Sequence, residues 1–220
     1  MTPAAPGAAS GAVPGATSSS ATGRPLRADA LRNRAKVLAA AEAVFAARGT
    51  SASTEEVARE AGVGIGTVFR HFPTKESLLE AVLAALLERL ADDARGLLAA
   101  DDPGAAFFGF FTRVVGQAAA ERAVAEAVAE AGLDGAGGRA RPALRSAVGA
   151  LLARAQEAGA VRADVGPAQV MALLAGLSYA AARVGAGEDV LAIAFDGLLP
   201  PARREGPAPR VPAPGGPVRR

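Results

Sequence analysis

Residues 64–71, GIGTVFRH, gather the side chains with the most recognition chemistry in this chain. Arg70 can donate two parallel hydrogen bonds to a guanine edge, and the Thr67 hydroxyl and methyl suit a base or a phosphate. Gly64 and Gly66 would let a nucleic-acid backbone approach closely, though they read nothing themselves. Such a surface reads sequence with few side chains and leans in part on DNA shape. Covalent chemistry has far less to work with. The chain has no cysteine, which excludes disulfides, thiolate metal sites and cysteine nucleophiles. One histidine, His71, cannot build a multi-histidine zinc site. The carboxylates Asp92, Asp93, Asp101 and Asp102 are scattered beside expected loops or on solvated faces. No catalytic residue, metal or cofactor is expected.

Two short helices must position those residues. Ser53 followed three residues later by Glu56 is a capping box, so a helix starts at about Thr54 and runs to Ala61. Gly62 can take the left-handed conformation that ends it. A second helix runs from about Ile65 to Phe72, where Pro73 breaks it. Ala58 is small where the helices approach, and Val68 can plug the angle between them with Val57, Ala61 and Val63. Ile65, Gly66, Thr67, Phe69, Arg70 and His71 are then left on or near the outer face. This is helix-turn-helix geometry, in which the second helix enters the major groove. An ordinary helical hairpin would share the bare Ala58/Gly62 spacing.

The rest of the chain also reads as helix, and the fold class is all-α. Leu31, Ala35, Leu38, Ala41 and Phe45 form one stripe closed by Gly49. Thr74 caps a helix carrying Leu78, Leu79, Val82, Leu83, Leu86, Leu87 and Leu90. Further helices are expected at about 105–119, 121–131, 142–157, 167–184 and 188–199, about nine in all. No run alternates with period two long enough to make a sheet.

Charge is unevenly distributed. Residues 24–82 hold nine basic and seven acidic side chains, whereas residues 83–199 hold ten and fourteen. Arg24, Arg27, Arg32, Arg34 and Lys36 oppose only Asp29 at the start of the first helix. Alone this is a solvated helix end; beside a DNA-reading element it is a phosphate-contacting arm. Residues 1–23 and the basic, Pro-rich 200–220 cannot bury enough surface to offset their ordering entropy, so disordered tails are expected. Neither a secretory signal nor a membrane span is recognisable, which points to a cytoplasmic protein.

The segment AGVGIGTVFRHFPTKESLLEAV, with the preceding RAKVLAAAEAVFAARG, resembles the DNA-binding domain of the TetR family of bacterial transcriptional regulators. The resemblance covers roughly residues 28–88 and is dense. Phe45, Gly49, Val57, Ala58, Ala61, Gly62, Val63, Gly66, Thr67, Phe69, His71, Phe72, Lys75 and Leu78 all fall on the family pattern. It implies that Ile65, Gly66, Thr67, Phe69, Arg70 and His71 face DNA and that Lys75 meets phosphate. A cation at a helix N-terminus is well suited to that last task. Ser53, also at a helix N-terminus, is a further phosphate contact or simply a cap. Phe69 stands where the family usually has tyrosine, so the phenolic hydrogen bond is lost and ring packing remains. For His71, a structural link to the next helix is an equal reading.

The same resemblance implies a helical body over 89–199 that binds an effector and dimerises. Leu173, Leu177 and Ala180, with Leu191, Phe195 and Leu198, are candidate dimer-interface residues, though both stripes would also serve as core. Phe107, Phe108, Phe110 and Phe111 are more simply core than pocket. A pocket, if formed, would be walled by Phe107, Phe111, Met171 and Tyr179 and suit a small, mostly apolar effector. The implied function is a homodimeric repressor released from a double-stranded DNA operator by that effector. An activator using the same head, or a helical interaction module without DNA readout, are the alternatives.

Overall fold

The computed structural model describes residues 23–133, 137–184 and 187–201, and among them every regular element is helical. There are eight α-helices: α1 (Gly23–Arg48), α2 (Thr54–Ala61), α3 (Ile65–His71), α4 (Lys75–Gly96), α5 (Pro103–Glu130), α6 (Ala140–Glu157), α7 (Pro167–Val184) and α8 (Gly187–Leu198). Two single 3-10 turns, Gly49–Ser51 and Leu97–Ala99, join α1 to α2 and α4 to α5. Of the tails expected at 1–23 and 200–220, residues 1–22 and 202–220 lie outside the described residues, whereas Gly23 opens α1; residues 134–136, in the Gly-rich stretch 132–138 where a break between helices is expected, lie outside them too.

Two boundaries differ from the sequence expectation. The helices expected at 105–119 and 121–131 are a single helix, α5, opened by Pro103 and capped by Asp102, whose side chain accepts from the Ala105 N–H. The run QAAAERAVAEAVAE contains neither glycine nor proline, so nothing interrupts the ladder of backbone hydrogen bonds. The first helix also begins earlier than its apolar stripe. Leu31 is 69% exposed and Ala35 is exposed, while Val37, Ala40, Ala41 and Phe45 are the buried face of α1.

The buried side chains form two clusters. The first is a head in which Val37, Phe45, Val57, Val68, Phe72, Leu78 and Val82 from α1 to α4 pack together. Val124, Ala127 and Val128 from the end of α5 complete it. The second is a body in which Phe107, Phe108, Phe110 and Phe111 pack on Leu144, Val148, Leu151, Val170, Leu174, Leu191 and Phe195. Helix α4 belongs to both, through Leu78–Leu86 to the head and Leu90–Ala94 to the body. Helix α4 is thus the element that the head and the body share.

Candidate nucleic-acid interface

The turn between α2 and α3 is built from local hydrogen bonds. At the start of α2 the Ser53 hydroxyl accepts from the Glu56 N–H at 3.2 Å, and the Ser53 N–H donates to Glu56 Oε2 at 3.0 Å. Both donors would otherwise be unsatisfied at a helix N-terminus. The Ser53 N–H, then Arg48 and Arg59, hold the Glu56 carboxyl below its ordinary value of 4.5, against partial burial that acts the other way. Arg48 reaches it at 2.5 Å, which ties the end of α1 to the start of α2.

At the other end of α2, Gly62 adopts φ 65° and ψ 33°. Its N–H donates to the Arg59 carbonyl, and the Val63 N–H donates back to Ala58 at 3.0 Å. These two bonds satisfy carbonyls left open at the helix end and turn the chain sharply. Helix α3 follows after Gly64. Val68 is fully buried against the head core, and Phe72, which closes α3, is buried as well. With its back pinned at these two points, α3 presents the opposite face to solvent.

That face holds the residues expected there. Ile65, Gly66, Phe69 and Arg70 are exposed, Phe69 to 43%, while Thr67 and His71 are half-buried. The His71 ring lies 6.3 Å from that of Phe72 at a 53° tilt. Lys75 is the first residue of α4, whose own capping box pairs Thr74 with Ser77 at 3.1 Å in both directions. Ser53 and Lys75, both half-buried, thus stand at the N-termini of the helices flanking α3. A neighbouring carboxyl, Glu76, is held below its usual value by its own backbone N–H and the Thr74 side chain. The arrangement can place a short helix in a major groove, with helix N-termini turned to the bordering phosphates.

The residues expected around an effector are placed differently. Phe107 and Phe111 are fully buried with ring centroids 5.2 Å apart, and Met171 packs half-buried against the same cluster. Tyr179 is 54% exposed on α7 and does not join them. Of the six residues expected at a dimer surface, Leu177, Leu191, Phe195 and Leu198 pack into this chain's own core. Leu173 and Ala180 are half-buried. A feature that sequence reasoning missed is a cleft of about 590 Å³ at the head–body junction, lined by Glu42, Arg89, Asp92, Asp93 and Gln117 among others. Arg89 bridges to Glu42 at 2.5 Å and Arg113 to Asp93 at 3.5 Å. Those partners are up to 47 residues apart, so no local pattern signals them.

The comparisons with known proteins agree with this geometry. Residues 37–82 match the family model for bacterial regulatory proteins of the tetR family. Residues 102–200 match the model for the C-terminal domain of SbtR-like transcriptional regulators. A solved TetR regulator from Mycobacterium vanbaalenii is 46% identical, with a TM-score of 0.66 over 80% of this chain and 99% of that one. The chain belongs to the TetR family.

A second TetR-family structure, from Streptomyces coelicolor, is 38% identical with a TM-score of 0.63 and covers 76% of this chain and 99% of that one. The regulator SrpR of Pseudomonas putida is 43% identical over 63 residues, a stretch that spans 28% of this chain and 30% of that relative. As a TetR-family member the chain is a DNA-binding transcriptional regulator and not an enzyme. The body matches a TetR-family C-terminal model of its own, which the sequence resemblance, confined to about 28–88, did not reach. Among the described residues no helix is long and apolar enough to cross a membrane, and no cluster of potential metal ligands occurs.

Proposed function

We propose that this TetR-family regulator is a cytoplasmic homodimeric repressor that reads a two-fold-symmetric operator and is released by a small, largely apolar effector. The observation that carries the reading is the outer face of α3. Ile65, Gly66, Phe69 and Arg70 stand exposed together on a helix whose opposite side is locked by fully buried Val68. Arg70 is assigned to a guanine, Thr67 to a base or phosphate, and Ser53 and Lys75 to the flanking phosphates. Phe69 contributes ring packing, and His71 links α3 to the next helix while bordering the DNA.

The effector site is assigned to the aromatic side of the body, where Phe107 and Phe111 stack in the core cluster against which Met171 packs. An apolar ligand that parts these rings would press on α4 through the shared core and shift the population of head orientations. For the dimer, the inward packing of Leu191, Phe195 and Leu198 leaves the opposite faces of α7 and α8 as the available surface. Ala172, Gly176 and Tyr179 are exposed there, with Ile193 at 73%. Leu173 and Ala180 lie at its margin. Apolar groups this exposed gain by being covered.

Selection from random duplexes with the full chain tests the reading, with sedimentation run beside it. The expected outcome is an inverted repeat whose half-sites lie about one helical turn apart, roughly 34–36 Å, bound by a species twice the chain's 21.8 kDa. Recovery of unrelated sequences, or of an unrepeated site bound by a monomer, would contradict it.

A further inference from the structure

The body is acidic overall, with ten basic and fourteen acidic side chains over residues 83–199. Residues 135–156 nevertheless carry Arg139, Arg141, Arg145 and Arg154 and no carboxylate. Three of these cations fall within seven residues at the start of α6. Like charges one helical turn apart repel, and the dipole of α6 favours anions rather than cations at this end. Neither an acidic side chain in the first turn nor a side-chain cap offsets them. The arrangement costs α6 stability, so packing does not account for it.

The fold places two of the arginines in one cleft. Helix α6 buries Leu144, Ala147, Val148 and Leu151 in the body core. Its other side turns Arg141, Arg145 and Ser146 to solvent. Together with Pro142, and with Pro167 at the start of α7, they line a cleft of about 580 Å³ that contains no carboxylate. Gly149 lets the two helices close, since a Cβ there would stand 3.3 Å from the Pro167 ring. Among the described residues no acidic side chain pairs with Arg145.

The volume is that of a small-molecule site. Guanidinium groups present parallel donors that match the two oxygens of a carboxylate or phosphate, and the Ser146 hydroxyl can add a third donor. The proline rings offer apolar walls to the remainder of such a molecule. The site also adjoins α4, because Gly137 packs against both Arg141 and Leu87, with a Cβ there only 2.8 Å from the Leu87 side chain.

We infer that the cleft between α6 and the start of α7 binds a small organic anion, whose carboxylate or phosphate is held by Arg141, Arg145 and Ser146. It is a site separate from the aromatic side of the body, and it does not rest on the DNA-reading assignment of α3.

Calorimetric titration of the full chain at low ionic strength tests it, with benzoate, phenyl phosphate and benzamide as probes. Benzoate and phenyl phosphate are expected each to saturate one site per chain, whereas benzamide, a similar ring without the charge, does not. Arg145→Gln weakens both anions about tenfold or more, the loss of a hydrogen bond to a charged group. Arg145→Lys keeps the charge but not the paired donors and falls between the two. Arg154→Gln, on the same helix but outside the cleft, binds as wild type. The melting temperature of Arg145→Gln is not lowered, because that side chain is exposed and its charge opposes its neighbours. Absence of a saturable site for both anions, binding of benzamide as tight as benzoate, or an equal loss in Arg154→Gln overturns the inference. Weakened operator binding by Arg145→Gln with no anion bound by the wild type would assign these arginines to DNA phosphates and overturn it as well.

Discussion

Two glycines four residues apart in the same motif should respond to alanine with opposite signs. Gly62 sits at φ 65°, in the left-handed region, with no atom within 4 Å of where a Cβ would stand. Alanine there meets no clash, so its cost is the backbone strain of a left-handed L-residue, about 1–2 kcal/mol. Gly66 lies inside α3 with ordinary helical geometry and equally open space. Alanine there relieves the entropic cost of a helical glycine and should stabilise by about 0.5–1 kcal/mol. For a chain of this size 1 kcal/mol moves the melting temperature by roughly 2–4 °C. Gly62→Ala should therefore melt about 2–8 °C lower and Gly66→Ala about 1–4 °C higher. Gly62→Asn should lose less than Gly62→Ala, since asparagine tolerates this conformation. Calorimetry of the three variants beside wild type reads all of this. DNA binding adds a second axis, because the new Gly66→Ala methyl sits on the exposed face of α3 and should weaken operator affinity while the fold gains stability. A shift of both alanine variants in the same direction would refute the backbone argument. A more stable Gly66→Ala protein with unaltered affinity would refute close approach at that position.

Other substitutions probe the caps and the DNA face. Ser53→Ala removes the acceptor for the Glu56 N–H and should cost about 1 kcal/mol in denaturant unfolding, the usual value of such a cap. Because the Glu56 carboxyl is held below 4.5 in the folded chain, the stability it contributes is present above that pH and is lost as pH falls through its lowered value. The gap in melting temperature between wild type and Glu56→Gln should thus be open near neutral pH and shrink on acidification as the carboxyl is protonated in the folded chain; a gap that widens on acidification would contradict the assignment. Phe69→Tyr supplies a hydroxyl on an exposed ring, and a hydrogen bond to phosphate should tighten operator binding by about 1.5–3 kcal/mol at most. No gain in a titration would mean that the ring does not face the phosphate backbone.

Legibility in the sequence tracked how local each determinant is. Ser53, Gly62, Pro73 and Thr74 act through hydrogen bonds or steric limits within five residues, and the bounds of α2 and α3 could be read directly from them. Val68 was readable for the same reason, since its spacing from Ala58 and Gly62 fixes which side of α3 faces inward. The break expected near residue 120 had no glycine or proline behind it, and α5 runs through it. The stripes on α7 and α8 were visible as apolar. Whether Leu191, Phe195 and Leu198 meet their own body or a second chain depends on neighbours such as Phe108, which lies 4.7 Å from Phe195. An interior face and an interface look alike in one dimension. Tyr179 illustrates the converse, an aromatic residue whose helix position turns it outward. The Glu42–Arg89 and Asp93–Arg113 bridges join separate helices, so only the fold brings those charges together.

The measurement closest to the central claim is fluorescence anisotropy of the purified chain on the intergenic DNA upstream of its own gene and on scrambled DNA, with Arg70→Ala beside the wild type. If α3 reads bases through Arg70, the wild type binds the intergenic DNA saturably and well above the scrambled control. Arg70→Ala then loses about 1–3 kcal/mol on the specific duplex, roughly 5- to 150-fold, with little change on the scrambled one. An Arg70→Ala protein that discriminates between the two duplexes as well as wild type would contradict the claim.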